Sequence, residues 1–244
     1  MTRVLVVIGV AISFFSCSQS SPKIKHEAID TLALKDDRIK DTTKILVSEL
    51  PVKFDSTDVI LFPIRLVDQE ERGGYREIAS GSYTTTSDVA TSYLNKDNLR
   101  GNFINIVFQE KHGNERKLTD KKIEIRNLTF LRDIFRKTKS GYLLYSISDR
   151  DSNGDKELDS SDLEALYISG VDGSDFKKIT KELHEFYDWT IVRGENKIYF
   201  RTLEDRNKDG KLNNKDIFHY YFIDFSGEKY SVIEYNPIKI FGIE

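Results

Sequence analysis

At 244 residues, with 37 Lys and Arg against 40 Asp and Glu, the chain has a formal net charge of −3 and no basic stripe, which argues against nucleic acid as a partner. Its one cysteine excludes an internal disulfide. Four prolines, 12 Tyr and 15 Phe, set among short Ile and Val runs, favour strands over helices.

The N-terminus bears on the compartment. Arg3 supplies a positive charge, Val4 through Phe15 is apolar apart from Ser13, and the chain turns polar after Ser16-Cys17. A charged start, a short apolar core and a small residue at the cut predict a secretory signal peptide over 1–16. The apolar run is well short of the ~20 residues a membrane-spanning helix needs. Cys17, behind a small residue at the end of that run, resembles the lipobox of bacterial lipoproteins. Ser16 fits that pattern, whereas Phe14 stands where the family usually has Leu. The resemblance implies lipidation of Cys17, export, and a lipid anchor holding the protein on a membrane of the cell envelope, at the periplasmic face or the cell surface. An ordinary signal peptide with an incidental cysteine is the alternative. Residues 17–55, polar and charged around Lys35-Asp36-Asp37-Arg38, read as a tether, with a helix compatible near 41–50.

From 56 to 244 the pattern is that of a β-repeat domain. Strand-like runs occur at 59–67 (ending or bulging at Pro63), 102–108, 142–147, 163–168, 197–200, 218–224 and 230–233. Turn signals such as His112-Gly113-Asn114, Asp172-Gly173 and Ser226-Gly227 separate them. The most helix-compatible piece, 120–136, alternates as well as it spirals. The expected fold is all-β and antiparallel.

Two stretches repeat without a gap: Asp151–Asp162 aligns on Asp205–Asp216 at an offset of 54 residues. The offset also carries Tyr145 onto Tyr199, Leu163 onto Ile217, Tyr167 onto Tyr221 and Gly173 onto Gly227, so a whole strand–loop–strand unit is duplicated. Asp172-Gly173, Lys178-Ile179-Thr180, Trp189 and Lys197-Ile198-Tyr199-Phe200 resemble the TolB-type (PD40) β-propeller blade. Gly113 with Lys117-Leu118-Thr119 and Tyr142–Tyr145 is similar to it one blade earlier, without the Trp. The usual Ser-Pro-Asp-Gly after the Trp is replaced by Thr190-Ile-Val-Arg-Gly-Glu195. The resemblance covers roughly 100–235 and implies propeller-like blades in a small or partial propeller, since ~50 residues per blade leave room for about four.

The repeated loops carry the chemistry. Calcium takes six to eight oxygens, and a twelve-residue loop supplies them from positions 1, 3, 5, 7 (a carbonyl), 9 and 12. In the second loop these are Asp205, Asn207, Asp209, Lys211, Asn213 and Asp216, with Gly210 at position 6, where the backbone needs positive φ, and Leu212 at position 8 as apolar anchor. The first loop offers Asp151, Asn153, Asp155, Glu157, Asp159 and Asp162, with Leu158 at position 8 but Lys156 in place of glycine. A left-handed non-glycine residue costs about 1 kcal/mol or more, which makes the second loop the safer site. The loops resemble EF-hand-type calcium loops, and with strands as flanks and Asp at position 12 they are similar to those of dockerins and other extracellular modules. The resemblance implies two weak Ca²⁺ sites set in hairpins, with Mg²⁺ admitted by the shorter Asp.

Elsewhere the bland readings prevail. His26, His112, His184 and His219 show no paired spacing, so no zinc site is expected, and Trp189 with Phe186 and Tyr187 reads as blade core. No nucleophile motif or phosphate-cradling glycine loop is present. The expected function is a non-enzymatic, calcium-binding cell-envelope lipoprotein whose ions are mainly structural and which binds a protein or glycan partner. The alternative is an envelope hydrolase with paired carboxylates on a propeller face.

Overall fold

A computed structural model of the chain describes residues 22–26, 36–68, 97–192 and 194–242. The expected signal peptide and Cys17 lie outside these residues. In chain order the strands are β1 (Lys44–Ser48), β2 (Ile60–Asp68), β3 (Asn98–Phe103), β4 (Asn105–Gln109) and β5 (Glu115–Lys117). Next come β6 (Glu124–Phe130), a short helix α1 (Arg132–Thr138), β7 (Tyr142–Ser148), β8 (Glu164–Gly170) and β9 (Lys177–Lys178). The last are β10 (His184–Ile191), β11 (Lys197–Glu204), β12 (Ile217–Asp224) and β13 (Ser231–Tyr235). They form three antiparallel sheets, β1-β2-β4-β5, β3-β6-β7-β8-β9 and β10-β11-β12-β13, none closing into a barrel. The fold is all-β, built of antiparallel blade-like sheets, as the sequence pattern predicts.

Strands β7 and β8 of the middle sheet are buried on both faces, which explains why Tyr142–Ile147 and Leu163–Ile168 read as near-continuous apolar runs. Leu143, Tyr145 and Ile147 of β7, with Ala165 and Tyr167 of β8, join Leu61, Ile106 and Phe108 of the first sheet in one core. The intervening Leu144, Leu166 and Ile168 join Ile198, Phe200, Tyr221 and Ile223 of the third sheet in a second core. Period-two alternation sends successive side chains to opposite faces, and here each face meets another sheet. Trp189, Phe186 and Ile191 of β10 pack against the second core, whereas Tyr187 is exposed.

Three local expectations are corrected. Pro63 neither ends nor bulges β2, which runs through it and pairs Pro63 with Ile106 of β4. In an antiparallel strand a residue's nitrogen and carbonyl face the same neighbour, and the Pro63 carbonyl accepts from Glu49 N, one residue beyond the end of β1. The missing N–H therefore falls where the regular β1 ladder has stopped. The run 102–108 is two strands of different sheets, β3 and β4, meeting at Ile104. Residues 41–50 hold β1 rather than a helix: alternation in Lys44–Ser48 suits an edge strand, antiparallel to β2 from Ile64 to Asp68. So the segment read as a tether is built into the body in its described part, at 22–26 as well as at 44–48.

Candidate functional site

Each repeated loop closes a hairpin. The first joins β7 to β8 and the second joins β11 to β12. The pairing differs by one residue between copies: Glu204 pairs Ile217 directly beside the second loop, whereas Ser148 pairs Glu164 and leaves Asp149, Arg150 and Leu163 outside the first ladder. The freed Asp149 accepts hydrogen bonds from the Tyr167 hydroxyl at 2.7 Å and from Lys178 Nζ at 2.8 Å.

Inside the loops the hydrogen bonding repeats position by position. The position-6 N–H donates to the position-1 carboxylate, Lys156 to Asp151 and Gly210 to Asp205, each at 2.8 Å. Asp155 N donates to Asn153 Oδ1 at 2.9 Å, and Asp209 N to Asn207 Oδ1 at 3.0 Å. Position 7 donates to position 5, Glu157 to Asp155 and Lys211 to Asp209, each at 2.9 Å. The position-12 carboxylates close both rings: Asp162 accepts from Ser152 N and Asp159 N at 2.6 and 3.0 Å, and Asp216 from Arg206 N and Asn213 N at 3.2 and 2.7 Å.

Backbone conformation repeats as well. Positions 4 and 6 are left-handed in both loops, Gly154 and Lys156 in the first, Lys208 and Gly210 in the second, with φ between 57° and 77°. Each loop thus has one glycine and one lysine in the two positions where a side chain is strained, in opposite order. Leu158 is buried at position 8, while its counterpart Leu212 is half-buried.

A feature not legible in sequence binds the two loops together. Residues 22–26 lie across both: Lys23 N and Ile24 N donate to the Gly210 carbonyl at 2.7 and 3.1 Å, and Lys25 N donates to the Ser152 carbonyl at 2.8 Å. Ile24 is buried, and Ser152 Oγ returns a hydrogen bond to the Lys23 carbonyl at 2.9 Å. A Cβ on Gly210 would sit 2.5 Å from the Ile24 carbonyl oxygen, so the glycine serves close approach as well as positive φ. His26 Nε2 stands 2.7 Å from Asp205 Oδ2.

The electrostatics separate the loops. Asp205 is 4 % exposed, and its Oδ1 is buried without a hydrogen-bond partner. Burial works to raise its pKa, but the His26 hydrogen bond and the nearby Gly210 and Lys208 N–H groups bring it below the ordinary carboxylate value. In the first loop Asp151 spends both oxygens on loop N–H groups, those of Gly154 and Lys156. Asp162 is fully buried, and desolvation raises its pKa against the opposing pull of the Asp159, Ser152 and Asn153 N–H groups. Arg126 frames this loop from β6, donating to the Asp159 carbonyl at 2.6 Å.

The predicted ligands are therefore gathered in two loops bridged by residues 22–26, each side chain turned largely to its own backbone. Among the described residues, three His, Cys, Asp or Glu ligand atoms lie within 4.8 Å of one another only at His184, Glu204 and His219. Sequence spacing hides that group because its members come from three strands of the third sheet. Among the described residues no helix is long and apolar enough to cross a membrane. No protein-family model matches the chain, and no curated protein is similar to it at a significant level.

Proposed function

We propose that the protein is a calcium-binding, all-β protein of the cell envelope whose ions stabilise the rim formed by the two repeated loops. The observation that carries the reading is Asp205 Oδ1, a buried carboxylate oxygen with no hydrogen-bond partner at position 1 of a loop whose every ligand position holds an oxygen donor. A buried unpaired acceptor is costly, and a cation removes that cost. Asp205, Asn207, Asp209, the Lys211 carbonyl, Asn213 and Asp216 would hold one ion. Asp151, Asn153, Asp155, the Glu157 carbonyl, Asp159 and Asp162 would hold a second, more weakly, because Asp151 is already satisfied by backbone.

Carboxylates must turn from N–H groups to the ion, so binding is coupled to rearrangement of the loops and affinity falls in the weak range of extracellular modules, roughly 10⁻⁴–10⁻³ M. Mg²⁺ competes where the short Asp at position 12 gives one oxygen. Export and lipid attachment at Cys17 rest on the residues from Arg3 to Cys17. Pinning of both loops by 22–26 would then join the anchor to the calcium-bearing rim within a few residues, leaving the sheets free to meet a protein or glycan partner.

Calorimetric titration of Ca²⁺ into the chelator-treated full chain, with Asp205→Ala and Asp151→Ala beside it, tests the central claim. Saturable heat in the range above and a raised melting temperature are expected, with the stronger site lost in Asp205→Ala. No heat and no thermal shift at ~10 mM Ca²⁺, tenfold beyond that range, would reduce both loops to acidic turns. For the anchor, Cys17→Ser is expected to move the protein from the membrane to the soluble fraction, and retention on the membrane would count against lipidation.

A further inference from the structure

We infer that His184, Glu204 and His219 form a second kind of metal site, one for a borderline divalent transition ion such as Zn²⁺, separate from the calcium loops. The third sheet builds it. His184 opens β10 opposite Glu204, the last residue of β11, and His219 on β12 lies opposite Thr202. Residues two apart on a strand share a face, so Thr202 and Glu204 of β11 bring the two imidazoles to one carboxylate. The row continues the buried line of Ile198 and Phe200, and Thr202 beneath it is fully buried.

The donor atoms converge. His219 Nε2 lies 2.7 Å and His184 Nε2 3.9 Å from Glu204 Oε2, and the three ligand atoms are within 4.8 Å of one another. Two donors about 2.0–2.1 Å from a tetrahedral ion stand roughly 3.3 Å apart, between the two observed separations. Small side-chain rotations on a rigid sheet therefore suffice to seat an ion.

An independent observation is how the other ring nitrogens are held. His184 Nδ1 is 3.1 Å from Thr202 Oγ1, and His219 Nδ1 is 3.2 Å from Glu234 Oε1. Lys181 in turn donates to Glu234 Oε2 at 2.8 Å. A metal-binding histidine characteristically donates its second N–H to a carboxylate or hydroxyl, which fixes the tautomer and directs the opposite lone pair at the ion. Both imidazoles have that partner, so both Nε2 atoms are oriented toward Glu204. Two imidazoles and a carboxylate suit Zn²⁺ better than the oxygen-seeking Ca²⁺. Three protein donors also leave a coordination position for water or for a group from a partner.

The test is Zn²⁺ titration of the metal-free full chain by calorimetry, with Co²⁺ followed by its visible absorption and ~1 mM Ca²⁺ present to engage the loops. Wild type is expected to take up one ion per chain more than the His184→Ala/His219→Ala chain, and Co²⁺ should give the bands of a tetrahedral site. Glu204→Gln should weaken binding more than ~100-fold, and Glu234→Gln by ~10–100-fold with an unchanged far-ultraviolet spectrum, because Glu234 acts only through His219. The conservative variants keep the proposal falsifiable should the double alanine chain fail to fold. Equal Zn²⁺ uptake by wild type and Glu204→Gln, or no saturable uptake by wild type, would overturn it.

Discussion

The two hairpin loops share a hydrogen-bond scheme and a pair of left-handed positions, yet they reach satisfaction by different routes. In the first, the position-1 carboxylate is fully engaged by Gly154 and Lys156, the position-12 carboxylate is fully buried, and Leu158 is buried beneath it. In the second, the position-1 carboxylate is buried with an orphan oxygen, His26 leans on its other oxygen, and the strap at 22–26 crowds Gly210. The first loop satisfies both oxygens of its position-1 carboxylate from its own backbone, whereas the second leaves one buried oxygen of Asp205 without a hydrogen bond. Matching residues at matching positions thus do not make matching hydrogen-bond environments. What differs is how much of each carboxylate the backbone has already claimed.

The largest expected effect breaks the pair apart through calcium. Asp205→Ala should lower affinity at the stronger site by more than ~100-fold, about 2.7 kcal/mol, while Asp151→Ala leaves that site within a few-fold of wild type. Equal losses in the two variants, read by calorimetry, would show that the orphan oxygen does not distinguish the loops. Next comes the apolar anchor. Leu158→Ala removes a buried side chain and should cost about 2–4 kcal/mol in urea unfolding, against about 1 kcal/mol for the half-buried Leu212. Similar costs would mean that the second loop is anchored as deeply as the first.

Sequence made much of this legible, for physical reasons. Alternation reports strands wherever one face is buried, and β7, β8, β11 and β12 bury both faces or pack against a neighbouring sheet, so their apolar runs stood out. The two hairpin loops were legible because their Asp, Asn and Gly residues recur at a 54-residue offset, which marked the duplication. Hidden from one dimension were contacts between distant segments. Nothing in Pro22–His26 announces that Ile24 will be buried under Gly210, and no spacing rule brings His184 to His219 across a third strand. The split of 102–108 between two sheets was equally invisible, since a strand that changes sheets keeps its alternation.

Backbone strain sharpens the comparison at a smaller scale. Gly210→Ala meets both positive φ and the Ile24 carbonyl, so a loss of about 2 kcal/mol or more is expected on thermal unfolding. Gly154→Ala meets the same positive φ but, beyond it, only the flexible end of Lys25, so the loss should stay near about 1 kcal/mol. Lys156→Gly relieves strain of about 1 kcal/mol, but glycine's freedom in the unfolded chain returns most of it, leaving a gain under about 0.5 kcal/mol. A large gain there would show that the first loop is more strained than its backbone angle implies.

The finest test uses pH in the presence of chelator, where the two loops should titrate with opposite sign. Burial raises the pKa of Asp162 in the fold, so the native state holds its proton more tightly than the unfolded chain does. Its favourable contribution is then present below the ordinary aspartate value and is lost as pH rises through the folded pKa. For Asp205 burial is outweighed by His26 and the loop N–H groups, and the folded pKa lies below the ordinary value. Its contribution is present above the ordinary value and is lost as pH falls through the folded pKa. Urea unfolding between about pH 3 and 6, with Asp162→Asn and Asp205→Asn as non-titrating references, separates the two. Stability of wild type relative to Asp162→Asn should fall as pH rises, and relative to Asp205→Asn it should climb. Slopes of the same sign would mean that the two buried carboxylates share one environment, and the asymmetry between the loops would then have to come from Lys156 and the strap alone.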